Sequence, residues 1–209
     1  MQTEAAIQKL ESLSKYAADE LRPLLENATL EQYQAFLDMM YHYTLYSEGN
    51  LMKASETAHT DELKEYFEHM AKEEHGHYLL AAKDLEGYGK AVSKETPQEV
   101  LNINQYWDEM TQGHVNAFLG LVFVFENIAK HLGTEIKTFL QRLEVTKKQG
   151  RWLSVHAEAD LEHGEEAKEF AEKYCDENAE LMVNSAEKAA NLWLAINRKP
   201  FATVAGADS

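Results

Sequence analysis

The sequence predicts an all-α protein, built as one antiparallel bundle of about seven helices. Only three of its 209 residues are proline, and the strong helix formers alanine, leucine, glutamate and lysine are abundant. No segment alternates apolar and polar residues with the period of two that a half-buried strand requires. The chain contains no low-complexity stretch and no visible repeat. We therefore expect a single helical domain over residues 1–199, followed by a frayed tail over residues 200–209.

Turn and capping residues in the first half of the chain place three helices. The first is predicted over residues 3–27, kinked or divided by Pro23, and the second over residues 30–57. The third begins after Thr60-Asp61 and ends near Gly87, because a glycine suits the C-terminal cap of a helix.

The second half of the chain is predicted to contain four more helices. Thr96 can cap the first of them, and Pro97 suits its first position. The predicted ranges are 97–110, 112–132, 134–174 with a bend near Gly150, and 177–197. Arg198-Lys-Pro200 is expected to end the last helix, because proline cannot continue the hydrogen-bond pattern.

Charge and composition exclude several classes of partner. The formal net charge of −16 disfavours binding to nucleic acid or to an anionic membrane. The longest apolar run, Ala117 to Phe125, is too short to span a bilayer and predicts a deeply buried helix. The N-terminal residues lack the pattern of a signal peptide, and the single cysteine, Cys175, excludes an internal disulfide. We expect a cytoplasmic protein.

The most informative motif is a trio of metal-ligand residues on the predicted helix 134–174. His156, Asp160 and His163 are four and three residues apart, so all three share one helix face. Two imidazoles and a carboxylate form half of a site for iron, manganese or zinc. The alternative is a hydrogen-bonded polar stripe on the helix surface.

Two further positions could complete this site from other helices. Glu74 and His77 form a Glu-x-x-His pair, whose members are three residues apart and share a helix face. Glu126 follows directly on the buried apolar run, where an unpaired carboxylate would be costly. The competing interpretations are a solvated glutamate and a surface histidine at Glu74 and His77, and a surface ion pair between Glu126 and Lys130.

A further carboxylate is predicted from the second or the third helix. Glu48 follows a tyrosine-rich segment, residues 41–46, and buried tyrosine hydroxyls require polar partners. Glu68 competes for the same role, because it lies seven residues before His75 on one helix face.

Three blocks of sequence together resemble the heme-oxygenase-like di-metal oxidases and oxygenases, which are also called iron-containing redox enzymes. The blocks are Glu73-Glu74-His75-Gly76-His77 with the following Lys83-Asp84-Leu85 and Gly87, then Gly120 to Glu126, and finally His156 to His163. The last block is the most specific of the three, and the blocks cover the middle and the last third of the chain.

The resemblance implies a metal centre and a redox activity. It implies metal ligands at Glu74, His77, Glu126, His156, Asp160 and His163, with Glu48 as a seventh. It also implies two iron ions, or manganese or a mixed pair, that activate O2 and oxidise a small organic substrate. That substrate would be amino-acid-like or fatty-acid-like. A homodimer is compatible with this fold.

Other functions remain open at this point. A heme-binding relative would need an N-terminal axial histidine, but no histidine precedes His42. A thiaminase-like relative would need a nucleophilic cysteine, and the acidic neighbours of Cys175 disfavour its thiolate. A non-catalytic bundle that binds metal or a protein partner is the alternative from a different class.

Overall fold

The described residues, 2–175 and 178–202 of this computed structural model, fold into ten α-helices and one 3₁₀ helix, with no strand among them. The ten helices and the 3₁₀ turn have these bounds: α1 Thr3–Asn27, α2 Leu30–Thr44, α3 Ser47–Thr57, α4 Asp61–Glu74, α5 His77–Glu86, α6 Gln98–Gly113, α7 Val115–Glu126, the 3₁₀ turn Ala129–His131, α8 Gly133–Arg142, α9 Arg151–Tyr174 and α10 Ala179–Ala202. The predicted all-α class is confirmed.

The helix number exceeds the prediction because several predicted helices are broken. The segment 30–57 divides at Leu45-Tyr46, and the segment 61–87 divides at His75-Gly76. Gly76 has a φ of 79°, in the left-handed region that a residue with a Cβ enters only at a cost. The segment 134–174 divides between Arg142 and Arg151, which is a larger interruption than the predicted bend at Gly150.

Neither Pro23 nor Pro200 ends a helix, although the sequence predicted a kink or break at the first and a helix end at the second. Pro23 lies inside a continuous α1, and α10 continues through Pro200 to Ala202, beyond its predicted end and into the predicted tail. Pro200 is buried, and the ring centroid of Phe201 lies 6.0 Å from that of Phe36. Packing against α2 therefore outweighs the weak local helix preference at this end. Residues 203–209 of the predicted tail lie outside the described residues.

The apolar helix α7 is buried in the bundle, as its sequence predicts. Its residues from Ala117 to Val124 are all buried, and it packs closely on α10. At Gly120 the two helices approach so closely that a Cβ would lie 2.6 Å from Cγ and 2.7 Å from the carbonyl oxygen of Met182. This glycine therefore sets the distance between α7 and α10.

None of the described helices is by itself long and apolar enough to cross a membrane. The bent pair Val115–His131 and Gly133–Arg142, with 59° between its two parts, meets the length and composition limits when taken together.

We predict that Gly120→Ala lowers the free energy of unfolding by about 1–3 kcal/mol, because the added methyl overlaps the Met182 backbone. Urea denaturation measures the change. Gly49→Ala is the matched control, since nothing lies within 4 Å of a Cβ at this helical position. That variant should be unchanged or more stable by about 1 kcal/mol. Equal effects of the two substitutions would contradict the close contact.

Candidate metal centre

The break between α4 and α5 brings Glu74 and His77 together in a way that the sequence did not predict. Glu74 is the last residue of α4, and His77 is the first residue of α5. They are joined by His75 and the left-handed Gly76, not by a continuous helical turn. Oε1 of Glu74 lies 3.1 Å from Nδ1 of His77, and both side chains are largely buried. The predicted pairing is therefore present, although its expected cause, a shared helix face, is wrong.

His156 reaches the same point from α9 with a defined orientation. Its Nδ1–H donates to the carbonyl oxygen of Trp152 at 2.7 Å, and its ring stacks on the indole of Trp152 with centroids 4.0 Å apart. Nε2 is therefore the nitrogen with the free lone pair. This atom is buried and has no hydrogen-bond partner among the described residues. An orphaned buried nitrogen of this kind is what a metal ligand requires.

Together these three side chains form a metal-ligand cluster in the described part of the chain. One ligand atom from each of Glu74, His77 and His156 lies within 4.8 Å of the other two. Burial opposes ionisation of Glu74, but the neighbouring His77 and His156 outweigh it and lower the pKa of the carboxyl. Burial lowers the pKa of His156, so that its neutral, metal-binding form is favoured.

A second pair of ligand types, Glu126 and His163, lies beside this cluster. Nδ1 of His163 is 3.3 Å from Oε2 of Glu126 at the end of α7. The pKa of Glu126 is raised, because burial and the charge of Glu74 outweigh the hydrogen bond to His163. The hydrogen bond to Glu126, together with Glu73, raises the pKa of His163 to about 9. Without metal, the imidazole of His163 therefore favours its protonated form at neutral pH.

The position of His163 depends on a close contact between α7 and α9. Asn127, just after α7, donates from Nδ2 to the carbonyl oxygen of Gly164 at 3.0 Å. A Cβ at Gly164 would lie 3.0 Å from the carbonyl oxygen of Glu126 and from Oδ1 of Asn127. Any larger residue at Gly164 would therefore push His163 away from Glu126.

Asp84 anchors α9 at its other end. This fully buried carboxylate accepts a hydrogen bond from the backbone N–H of Trp152 through Oδ2 at 2.9 Å. It thereby caps the first turn of α9 and joins it to α5, the helix that begins with His77. Burial raises the pKa of Asp84 to about 6. The same two helices thus carry His77 and His156 and are held together by this contact.

Not every predicted ligand is brought to the cluster. Oε2 of Glu48 is 2.9 Å from Nδ1 of His75, a side chain that is 74% exposed, while Glu48 is itself 46% exposed. Oε1 of the rival Glu68 accepts a long hydrogen bond of 3.4 Å from Ser55. The side chain of Asp160 lies outside the described residues. Coordination by Glu48 and by Asp160 stays a prediction.

Sequence reasoning missed the role of Glu73. Its Oε2 lies 2.5 Å from Nε2 of His163. Glu73 therefore pairs with the imidazole nitrogen that faces away from Glu126. A carboxylate in this position orients a ligand histidine and makes it more basic. Adjacent helical residues point about 100° apart, so the sequence offered no reason for Glu73 and Glu74 to serve one site. Glu73 reaches the site because His163, on α9, lies between Glu73 of α4 and Glu126 of α7.

An apolar cavity of about 140 Å³ adjoins the cluster. Glu74, Glu126 and His156 form part of its wall. The remainder is mainly hydrocarbon and aromatic, with these side chains among the described lining residues: Leu21, Leu25, Phe36, Leu51, Trp107, Val122, Phe125, Ile128, Leu132, Ile136, Trp152, Leu153, Trp193 and Phe201. A small organic molecule in this cavity would lie directly beside the ligand side chains.

The residues present fit a transition-metal ion. Carboxylate and imidazole donors are typical ligands of iron, manganese and zinc, and the donor set lacks the cysteine that structural zinc sites more often use. The unpartnered Nε2 of His156 and the close approach of three ligand atoms are the observations that support this fit. Glu126 and His163 could hold a second ion nearby.

Comparison with known proteins identifies the family and the fold of this chain. A family model described as iron-containing redox enzyme matches residues 34–194, and the chain belongs to this family. A crystal structure from Shewanella denitrificans, described as a domain of unknown function with a heme oxygenase-like fold, superimposes with a TM-score of 0.83 at 20% sequence identity. The match covers 97% of this chain and 93% of that one, so the heme-oxygenase-like fold is confirmed. No curated protein matched the sequence.

We predict that Asp84→Asn changes how stability depends on pH. The pKa of this carboxyl is higher in the folded protein, about 6, than its ordinary value of 3.8, so the folded state binds the proton more tightly. Ionisation of Asp84 therefore lowers the free energy of unfolding progressively as the pH rises from about 4 to 6, by up to about 3 kcal/mol. Asparagine can still cap α9 but does not ionise.

Urea denaturation of both proteins at several pH values provides the measurement. The stability of the variant relative to the wild type should increase across this pH window and level off above it. A difference that stays constant from pH 4 to pH 7 would show that Asp84 ionises normally in the fold.

Proposed function

We propose that this protein is a non-heme di-iron enzyme that activates O2 and oxidises a small organic substrate. The observation that carries the proposal is the buried trio of Glu74, His77 and His156, with an unpartnered Nε2 on His156. The adjacent pair, Glu126 and His163, supports a second ion. Membership of the iron-containing redox family makes iron the expected metal.

In this proposal the ligands divide between two positions. Glu74, His77 and His156 would hold one iron, while Glu126 and His163 would hold the other, with Asp160 and Glu48 as further predicted ligands. Bound ferrous iron would supply the electrons that reduce O2. Carboxylate ligands favour the higher oxidation states of iron, and the small number of protein ligands at each position would leave room for O2.

The protein's own groups would orient and protect this centre. The carbonyl oxygen of Trp152 fixes the tautomer of His156, and Glu73 orients His163. The apolar cavity walls exclude bulk water, which strengthens the electrostatic interactions of the ligands and limits side reactions. A substrate in this cavity would be held against the ligand cluster without a covalent bond to the protein.

The thiaminase-like alternative receives no support from the position of the cysteine. Cys175 is fully buried, and it is not among the described residues that line the cavity. A cysteine nucleophile would need to reach a substrate in that cavity.

Anaerobic reconstitution with ferrous iron tests the proposal. We expect about two irons per chain in the wild type and a large loss in His156→Gln, because glutamine replaces the imidazole that binds through Nε2. His75→Gln is the matched control, since this exposed histidine lies between two predicted ligands in sequence. Circular dichroism should show the same helicity in all three proteins. Equal iron content in the wild type and His156→Gln would disprove the site.

Oxygen consumption separates the enzyme from a metal-storing bundle. The iron-loaded wild type should consume O2 faster when substrate is added, whereas a storage protein would take up O2 at a rate independent of any organic compound. Zinc-loaded protein controls for metal binding without redox chemistry, because zinc does not change oxidation state.

The raised pKa of His163 predicts a pH-dependent metal affinity. A metal can bind only the neutral imidazole, so a proton must leave His163 at any pH below about 9. The second equivalent of Mn²⁺ should therefore bind about tenfold more tightly for each unit of pH increase between 6.5 and 8. Electron paramagnetic resonance of free Mn²⁺ gives the affinity. An affinity that does not change with pH would contradict the proposed role of His163.

A further inference from the structure

The imidazole of His156 begins a row of aromatic rings that leads away from the ligand cluster. It stacks on the indole of Trp152, with ring centroids 4.0 Å apart and the two planes 25° apart. Trp152 is 7% exposed, and its Nε1–H has no hydrogen-bond partner among the described residues. Tryptophan and tyrosine are among the side chains that lose a single electron most readily. Trp152 is therefore placed to exchange an electron with a metal ion bound to His156.

The row continues from Trp152 through α2 to the end of α5. The ring centroid of Phe36 lies 5.6 Å from that of Trp152, and the ring centroid of Tyr33 lies 6.3 Å from that of Phe36. Tyr88, which follows α5, makes an edge contact with Tyr33 at a centroid distance of 6.4 Å. Successive ring contacts thus join the buried indole to a tyrosine that is partly exposed at the protein surface.

A buried carboxylate accompanies the tyrosine at the outer end of this row. Oδ1 of Asp84 and the hydroxyl of Tyr88 are both buried, and neither has a hydrogen-bond partner among the described residues. Burial and the charge of Asp84 raise the pKa of Tyr88 to about 12, so the two groups interact. The pKa of Asp84 is about 6, so this carboxyl is mainly ionised at neutral pH. It can therefore accept the phenol proton, which is released when a tyrosine loses an electron.

From this arrangement we infer that Trp152 and Tyr88 are electron-transfer residues, which carry electrons from the protein surface to the metal centre across the rings of Phe36 and Tyr33. The inference rests on the proposed function, because it requires a redox-active metal ion at His156. Tyr33 remains protonated in this path, since its hydroxyl donates to the carbonyl oxygen of Gln149 at 3.0 Å and not to a carboxylate.

Each transfer moves one electron. Trp152 gives an electron to the oxidised metal centre through His156 and regains one from Tyr88. The phenol proton of Tyr88 passes to Asp84, which leaves a neutral tyrosyl radical beside a neutral carboxyl group. A one-electron reductant of the ascorbate class then reduces the radical from solution, and Asp84 returns the proton. The net change is the transfer of one electron from the reductant to the metal centre.

Electron paramagnetic resonance of frozen samples tests this path. Iron(II)-loaded protein is mixed with O2 in the absence of substrate. We expect a radical on Tyr88, whose signal narrows when the tyrosines carry ring deuterium. Trp152→Phe should lose this signal, because phenylalanine is much harder to oxidise, although its backbone carbonyl can still accept from His156. Tyr88→Phe should keep the radical on Trp152, where ring-deuterated tryptophan and not deuterated tyrosine narrows the signal.

Trp107→Phe and Tyr106→Phe are the matched control variants. Trp107 is as buried as Trp152 and lines the same cavity, but it stacks on Phe125 and not on a predicted ligand. Tyr106 is a buried tyrosine whose hydroxyl donates to the carbonyl oxygen of Ser185. Both variants should give the Tyr88 signal of the wild type. Ascorbate should shorten the lifetime of that signal, and a lifetime independent of ascorbate would contradict delivery of electrons from solution.

Iron content and the rate of iron oxidation by O2 separate this inference from the proposed function. A wild type that binds no iron, or whose iron does not react with O2, would overturn the proposed function and the electron path together. Iron oxidation without a radical on Tyr88 would overturn the electron path alone, as would an unchanged tyrosine signal in Trp152→Phe. If Trp152→Phe loses iron or does not fold, Tyr88→Phe decides, because a persistent tyrosine signal in that variant would also overturn the path.

Discussion

The central constraint in this structure is the burial of two carboxylates, Glu74 and Glu126, beside an apolar cavity. Either group alone would favour its protonated form or an exposed position. The imidazoles of His77 and His156 lower the pKa of Glu74, whereas Glu126 shares a hydrogen bond with His163 and keeps a raised pKa. The fold therefore brings two largely buried acidic side chains and three imidazoles together at one place in the bundle.

Helix breaks are what allow the cluster to form. A continuous helix over residues 61–87 would follow one axis, but the turn at Gly76 redirects the chain between Glu74 and His77. α9 is fixed at two points, by the cap from Asp84 near its start and by the contact of Gly164 with the end of α7. His156 and His163 both lie between these two points along α9, which limits the movement of both imidazoles.

Part of the cavity wall comes from helices that carry none of the predicted ligands. α1, α8 and α10 contribute apolar side chains, and the close contact between α7 and α10 at Gly120 holds the last of these in place. The candidate metal ligands and this part of the cavity wall therefore lie on different helices. A substitution on the cavity-facing side of α10, for example at Trp193, would alter the cavity wall without replacing a candidate metal ligand.

The sequence by itself determined the all-α class and the burial of α7, and it identified most of the candidate ligand residues, because composition and spacing along a helix are local properties. His156 and His163 are seven residues apart on a single helix, so their shared direction follows from helical geometry alone. Glu73 and Asp84 acquired their contacts only in the folded chain, and Glu48 lies with the exposed His75 and not with the cluster. Those outcomes depend on where helices break and which helices touch, and these are decided by packing between residues that are distant in sequence.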